Sequence, residues 1–257
     1  MPKLTIQNRL GLDLAVEYDI PANPTGLAFI AHGLGGFKEQ PHIRAFADPF
    51  AESDYATVLW DATNSFGASG GDYSDATITN YFHDLEDVIA WASEQGWYQE
   101  PFVLAGHSLG GISAALFAEE HPEKVRALAP ISTVVSGKLS MDAHGPAEMA
   151  EWKQAGVKES MSSDGKRFKR LPWSHMEDRL KFDLMPKASQ LTMPVLMIVG
   201  GEDPITPEQH QRILFDAIPH ENKELHVIKG AEHSFRPSGN GLPEVRRHFT
   251  AWVKKLG

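Results

Sequence analysis

Short apolar runs alternate with longer segments of helical spacing along most of this 257-residue chain, and this alternation restricts the fold more than any other feature. Strands covered on both faces are almost wholly apolar, whereas half-exposed antiparallel strands alternate apolar and polar residues. Two alternating runs open the chain, at residues 3–7 and 12–19. The almost wholly apolar runs that follow are 27–31, 57–60, 102–105, 125–131 and 195–199, and an eighth strand is expected at 224–228.

Helical spacing separates these runs. In residues 77–94 the apolar side chains recur every three or four positions, which predicts an amphipathic helix. Further helices are predicted at 109–121, 207–218 and 243–256. Strand–helix alternation builds βαβ units. The sequence therefore predicts an α/β fold, with a mostly parallel eight-stranded sheet and helices on both faces.

Residues 133–190 interrupt this rhythm, because no buried-strand pattern occurs in them. A connection of this length is uncommon inside a compact domain. We therefore predict a helical cap at 133–190, inserted into a core made of residues 1–132 and 191–257. Two ordinary crossover helices with irregular connections are the alternative. The basic run 166–170 is interpreted as solvated surface, with attraction of anionic substrates as the alternative.

The hexapeptide Gly106-His107-Ser108-Leu109-Gly110-Gly111 joins the predicted strand 102–105 to the predicted helix 109–121. Gly-x-Ser-x-Gly between a strand and a helix is typical of a nucleophile elbow, a strained turn that projects the serine Oγ above the sheet. Glycine at positions 106 and 110 avoids collisions beside that turn. We therefore predict that Ser108 is a nucleophile.

A second match to the same pattern, Gly67-Ala68-Ser69-Gly70-Gly71, has a different context. It is followed by Asp72-Tyr73-Ser74-Asp75 and not by a helical segment, and Gly70 occupies the position where the helix would begin. We interpret this match as a loop, and we do not expect Ser69 to be the nucleophile.

A serine nucleophile needs a base, and the base needs an acid that orients it. Asp203 follows strand 195–199 and His233 follows strand 224–228, so both lie where sites of open α/β sheets form. His233 is preferred among twelve histidines because it combines a position after the acid with a short loop at this edge. Glu202 and Asp61 remain alternative acids, and a helix cap remains an alternative role for Asp203.

Acyl transfer also needs N–H donors for the oxyanion. The backbone amide of Leu109, directly after the nucleophile, is one candidate, and that of Leu34 in the glycine-rich loop 31–37 is the second. A glycine-rich turn without a ligand is the alternative for this loop. The sequence contains no His-Glu-x-x-His, Gly-x-Gly-x-x-Gly or P-loop motif, so we expect no metal and no nucleotide cofactor.

Composition narrows the choice of partners. The formal net charge of −10 argues against nucleic acid, and no stretch approaches the ~18 apolar residues of a membrane span. The absence of cysteine excludes disulfides and a cysteine nucleophile. The first residues lack the apolar segment of a signal peptide, so we expect a cytoplasmic protein with a small-molecule substrate. A homodimer is left open.

Four motifs together resemble the α/β-hydrolase superfamily. They are His32-Gly33-Leu34-Gly35-Gly36, Gly106-His107-Ser108-Leu109-Gly110-Gly111, Gly201-Glu202-Asp203-Pro204 and Gly230-Ala231-Glu232-His233. With the insert, the spacing is similar to that of bacterial cinnamoyl/feruloyl esterases. This sequence departs from the family pattern Asp-x-Arg-Gly-x-Gly-x-Ser-x-Gly at residues 61–71. Thr63-Asn64 stand in place of the arginine and the glycine that follows it.

The resemblance implies a serine esterase with a cap that supplies the acyl or phenolic pocket. We predict hydrolysis of small to medium or aromatic-acid esters by Ser108, His233 and Asp203 through an acyl-enzyme intermediate. A thioesterase, a monoacylglycerol lipase or an aminopeptidase using the same three residues are alternatives. A non-catalytic binding protein of the same fold is a further alternative.

Overall fold

One sheet of eight strands runs through the structure, a computed structural model that describes residues 2–162, 165, 167–235 and 241–257. Lys166 of the basic run lies outside the described residues. The strands are β1 (Lys3–Gln7), β2 (Asp13–Asp19), β3 (Gly26–Ala31), β4 (Tyr55–Trp60), β5 (Phe102–His107), β6 (Val125–Ile131), β7 (Val157–Met161), β8 (Phe168–Pro172), β9 (Val195–Gly200) and β10 (Lys223–Ile228). The sheet order is β1-β2-β4-β3-β5-β6-β9-β10, and β7 pairs with β8 alone.

The predicted eight-stranded, mostly parallel sheet is confirmed. β1, β2 and β4 pair antiparallel, as the alternating pattern of the first two runs predicts. In the sheet order β4-β3-β5-β6-β9-β10 each strand runs parallel to its neighbour. The carboxyl ends of these parallel strands therefore meet at one edge, where loops after them come together.

Helices cover both faces of this sheet. They are α1 (Pro41–Ala51), α2 (Ile78–Ser93), α3 (Leu109–Glu120), α4 (Gly137–His144), α5 (Pro146–Ala155), α6 (Trp173–Arg179), α7 (Glu208–Ala217) and α8 (Gly241–Leu256). Alternate residues of β3 belong to two separate cores: Phe29 packs with α2 and α3, and Ile30 packs with α1 and α8. This double burial explains why the central strands are apolar at nearly every position.

The sequence patterns do not predict α1, because Pro49 interrupts its helical spacing. Pro41 stands in the first turn, where a missing N–H costs nothing, and Pro49 lies inside the helix. The helix forms because Ile43, Phe46 and Phe50 bury one face against the sheet. Tertiary packing outweighs the local cost of the second proline.

Residues 133–190, between β6 and β9, contain α4, α5 and α6 together with the β7–β8 hairpin. The expectation of a purely helical insert is therefore incomplete. Both hairpin strands are largely exposed, so they carry no buried-strand pattern. Trp152 and Met176 of this segment form a small buried cluster with Tyr73 of the 3₁₀ turn after β4, and this cluster joins the segment to the rest of the chain.

Glu119 of α3 carries a buried carboxyl group whose Oε1 has no hydrogen-bond partner within the described part of the chain. Burial raises its pKa from the ordinary 4.5 to about 8. The folded state therefore binds a proton that the unfolded state has released, and the free energy of unfolding falls as pH rises from 4.5 to 8.

We expect Glu119→Gln to remove this loss, because the amide has the same shape without the charge. Relative to wild type, its free energy of unfolding should rise with pH by up to about 1 kcal/mol per pH unit, measured by urea denaturation at pH 5, 6.5 and 8. The neighbouring exposed residue supplies the control, Glu120→Gln. An equal response of the two variants would contradict the assignment.

Candidate active site

Ser108 lies in the turn between β5 and α3, with φ of 54° and ψ of −111°. Non-glycine residues rarely adopt a positive φ, and such strain persists only where the surroundings enforce it. Here a side chain at Gly106 would overlap the carbonyl oxygen of Gly110. A Cβ at Gly110 would lie 2.5 Å from the carbonyl oxygen of His32. The predicted tight turn is present, and both glycines are required by close backbone contacts.

Asp203 and His233 come together after β9 and β10, as predicted. Asp203 Oδ2 lies 2.8 Å from His233 Nδ1, and its side chain is fully buried. The amides of Ile205 and Thr206 donate to Oδ1 at 2.9 and 3.0 Å. Burial alone would raise the pKa of Asp203, but the hydrogen bond and charge of His233 together with these amides hold it well below its usual range.

This hydrogen bond settles the tautomer of His233. An ionised carboxylate only accepts hydrogen bonds, so Nδ1 of His233 carries the proton. Nε2 is then the ring nitrogen available to act as a base. The hydroxyl of Thr206 lies 2.9 Å from Asp203 Oδ2 and 3.2 Å from His233 Nδ1. The sequence motifs do not include Thr206. Its position three residues after an aspartate is nevertheless typical of local hydrogen bonding between the two residues.

Ser108 and His233 line the same cavity, which has a volume of about 530 Å³. Leu34, Leu109 and Glu202 line it too. His233 remains partly exposed, with 20% of its side chain accessible, so a ligand in the cavity can reach the ring. The structure thus gathers at one cavity the serine, the histidine and the residues of both predicted amide donors.

His107 precedes the serine but belongs to the support of the site. Its Nε2 lies 2.8 Å from the carbonyl oxygen of His233, to which it donates a hydrogen bond. Burial lowers the pKa of His107 to about 3, so the ring is neutral at physiological pH. His107 therefore anchors the loop that carries His233.

The loop after β3 approaches the serine closely, since a Cβ on Gly33 would lie 3.0 Å from Ser108 Cβ. The Gly33 carbonyl accepts hydrogen bonds from His32 Nδ1 at 2.8 Å and from the Tyr81 hydroxyl at 3.3 Å. Within a trans peptide unit the C=O and the following N–H point in opposite directions. Holding the Gly33 carbonyl inward therefore turns the Leu34 amide away from these partners, as an oxyanion donor requires.

The alternative residues have other surroundings. Glu202 is exposed, and in the described parts of the chain it makes no hydrogen bond to His233. Ser69, the serine of the second Gly-x-Ser-x-Gly match, donates to the carbonyl oxygen of Asp61 and accepts from a β2 amide. Its hydroxyl is thus engaged by the main chain on both sides.

Asp61 forms a buried ion pair with Lys38, a residue that no sequence motif indicates. Lys38 Nζ lies 2.6 Å from Asp61 Oδ2, the Lys38 amide donates to Oδ1 at 2.8 Å, and the two side chains are 3% and 1% exposed. Lys38 directly follows the glycine-rich loop, so this pair joins the loop to the end of β4. Thr63, at the position of the missing family arginine, instead donates to Asp84 at 2.6 and 2.8 Å.

Among the residues that the structure describes, no group of three His, Asp or Glu side chains is placed to hold a metal ion. Within the same ranges, every helix is too short or too polar to cross a membrane.

The mostly parallel eight-stranded sheet and the match to a family model together define an α/β-hydrolase, so the resemblance noted in the sequence is confirmed. The chain matches the family model described as serine aminopeptidase, S33, over residues 22–177 and 173–236, and it belongs to that family.

Individual relatives are distant. The chain is 24% identical over 216 residues to the thermostable monoacylglycerol lipase of Bacillus sp. (strain H-257), covering 82% of this chain and 83% of the lipase. It is 23% identical over 241 residues to the mitochondrial palmitoyl-protein thioesterase ABHD10 of Mus musculus, covering 91% and 77%. The structure of Est1E from Butyrivibrio proteoclasticus with ferulic acid bound superposes with a TM-score of 0.79 at 23% identity, over 98% of each chain. At this identity the superposition establishes the fold.

The Lys38–Asp61 pair generates a stability prediction. Lys38→Met should lower the free energy of unfolding by about 3–5 kcal/mol, because it leaves a buried carboxylate without its cation. Urea denaturation at pH 7 measures the change. In Lys38→Met/Asp61→Leu the loss should be smaller than in the single variant, since no unpaired charge remains.

An exposed ion pair serves as the control. Lys138 and Asp142 lie 2.7 Å apart, and Lys138 is 76% exposed. Lys138→Met should change the free energy of unfolding by less than about 1 kcal/mol. A Lys38→Met effect of that small size would show that the buried pair does not stabilise the loop.

Proposed function

We propose that this protein is a serine hydrolase that cleaves carboxylic esters with small to medium or aromatic acyl groups. The observation that carries the proposal is the 2.8 Å hydrogen bond between Asp203 and His233, beside the cavity that Ser108 lines. The serine esterases and lipases of this fold use a serine, an acid and a histidine, in the chain order that Ser108, Asp203 and His233 have here.

In the proposed reaction Ser108 Oγ attacks the ester carbonyl while His233 Nε2 takes its proton. The negative charge on the former carbonyl oxygen is stabilised by the amides of Leu34 and Leu109. His233 then donates the proton to the leaving alcohol, and the ionised Asp203 stabilises the imidazolium. Water, activated by the same histidine, hydrolyses the acyl-enzyme and restores the serine.

The lining of the cavity supports the choice of substrate. Phe37, Phe66, Tyr73, Trp152 and Leu171 supply apolar surface, and a volume of about 530 Å³ suits a ligand of modest size. Trp152 and Leu171 belong to residues 133–190, which we propose act as a cap over the serine. The lipase relative and the structure with bound ferulic acid are consistent with such substrates.

A thioester is a second candidate substrate, because the thioesterase relative matches 91% of this chain and the same residues perform both reactions. Aminopeptidase activity is less well supported. It would need carboxylates to bind the substrate ammonium group, and the cavity holds Glu202 and Glu232 against four basic side chains.

We expect purified protein to hydrolyse p-nitrophenyl acetate and butyrate. Rates on p-nitrophenyl esters of increasing acyl chain length, on methyl ferulate and on a butyryl thioester then distinguish the candidate substrate classes. Ser108→Ala should reduce kcat/KM by at least about 10⁴-fold, because the nucleophile is lost. Asp203→Asn should reduce kcat by about 10⁴-fold, since an amide can neither fix the tautomer of His233 nor stabilise its cation.

The matched control is Ser69→Ala, which removes the other serine in a Gly-x-Ser-x-Gly context. It should keep most of the activity, and a fluorophosphonate probe should label it but not Ser108→Ala. Labelling of Ser69 would overturn the assignment of the nucleophile. A wild-type protein inert towards all esters and thioesters tested would favour the non-catalytic binding protein.

A further inference from the structure

Arg179 is a buried cation in the wall of the cavity that Ser108 and His233 line. It is the last residue of α6 and is only 5% exposed. Buried guanidinium groups are normally paired with carboxylates, because an unpaired charge in a low-dielectric interior is costly. Among the described residues, no carboxylate oxygen lies within 4 Å of this guanidinium.

The partners of Arg179 are neutral. Its Nη1 donates to Ser140 Oγ at 2.6 Å and its Nη2 to His175 Nε2 at 2.7 Å. The Nδ1 of His175 lies 2.6 Å from the carbonyl oxygen of Ala76, so Nδ1 carries the ring proton and Nε2 accepts. Burial and the charge of Arg179 lower the pKa of His175 to about 3, which keeps the ring uncharged.

The nearest acid in sequence is turned elsewhere. Asp178 accepts hydrogen bonds from the Thr79 hydroxyl at 2.6 Å and the Thr79 amide at 3.1 Å, and it pairs with Lys181 at 3.2 Å. Arg179 keeps its own charge, since burial lowers its pKa only to about 10. Its Nε has no hydrogen-bond partner within the described residues. The guanidinium therefore retains donor capacity, and among the described residues Asp178 compensates its positive charge only from beyond 4 Å.

Arg179 lines the same cavity as Ser108 and His233. Tyr73 lies in the same cavity and close to the glycine-rich loop, since a Cβ on Gly35 would lie 2.7 Å from its ring. Three further basic residues line the cavity, Lys158, Arg167 and Lys169, against two acids, Glu202 and Glu232. Lys158 is paired with Glu148, which lies outside the lining. The cavity thus carries a positive excess in a chain whose formal net charge is −10.

We propose that Arg179 binds a carboxylate of the substrate, and that the preferred substrates are esters carrying a carboxylate in addition to the scissile bond. This inference rests on the proposed ester hydrolysis and narrows its substrate class. A carboxylate would supply a counter-ion in direct contact and accept from the Nη1 and Nη2 hydrogens that Ser140 and His175 leave unused. The neutral part of the substrate would contact the apolar side chains of the cavity.

The carboxylate could belong to either half of the ester, and two pairs of substrates with the same carbon chain separate these sources. Monoethyl glutarate is compared with ethyl valerate, where the acyl group carries the charge. 4-Acetoxybutyrate is compared with butyl acetate, where the alcohol carries it. For at least one pair we expect wild-type kcat/KM to be about 10- to 100-fold higher for the charged member, in low-salt buffer at pH 7.5.

Arg179→Met should bring the ratio of kcat/KM for charged over neutral esters close to 1, because the charge acts on the anionic group and not on the ester carbonyl. Arg179→Lys should restore part of the preference, since it returns the charge without the planar fork. Arg170→Met is the matched control: Arg170 is an exposed arginine of β8 that pairs with Glu159 and does not line the cavity. It should keep the wild-type preference.

Several outcomes would overturn the inference. One is a wild-type protein whose kcat/KM is not higher for the charged ester in either pair, a result that needs no folded variant. Another is an Arg179→Met variant that folds by circular dichroism and loses activity equally on charged and neutral esters, which indicates a structural role. Ser108-dependent hydrolysis of neutral esters in either case leaves the proposed function intact.

If no ester is hydrolysed, the proposed function is refuted. The carboxylate site at Arg179 can still be tested by binding. Calorimetry then compares binding of monoethyl glutarate and ethyl valerate to wild type and to Arg179→Lys. Binding of monoethyl glutarate that exceeds that of ethyl valerate and weakens in the variant supports the carboxylate site. Equal affinities for the two esters refute it.

Discussion

The close contact between the β5–α3 turn and the end of β3 is the constraint on which the site depends. Gly110 lies against the His32 carbonyl and Gly106 against Gly110, so the helix can begin directly behind the strand. This approach holds Ser108 at a positive φ that it would not adopt in a free chain. It also brings the Gly33 backbone against the serine, so nucleophile and glycine-rich loop are positioned by one contact.

The polar groups around this turn are held by partners that leave little freedom. Asp203 is bound by two amides and by His233, and His107 anchors the His233 loop. Lys38 and Asp61 join the glycine-rich loop to β4. Each arrangement buries a charge or a polar ring at a cost in solvation, which the two apolar cores on either face of the sheet offset. Arg179 stands apart because its protein partners are neutral, which is why we assign its counter-ion to a ligand.

Patterns local in sequence are sufficient to predict the sheet. Its eight strands are covered on both faces or alternate at an edge, and each condition leaves a visible residue pattern. The β7–β8 hairpin and α1 are not predictable in this way. The hairpin strands bury few side chains, so burial imposes no pattern on their sequence. α1 contains Pro49, and the helix tolerates this proline because α1 packs against β3 and β4. Lys38 gives no signal either, since its partner Asp61 is 23 positions away.

The sequence alone specifies the order of the elements and the chemical groups at the strand ends. Turn glycines, apolar runs and a serine between a strand and a helix can be recognised from a few neighbouring residues. These local patterns are enough to indicate Ser108, Asp203 and His233 as a group. The choice of Asp203 over Glu202 and Asp61 needs the fold, since all three are acids after strands. So does the buried charge of Arg179: burial and the absence of a nearby carboxylate among the described residues are properties of packing between distant segments, which no local pattern records.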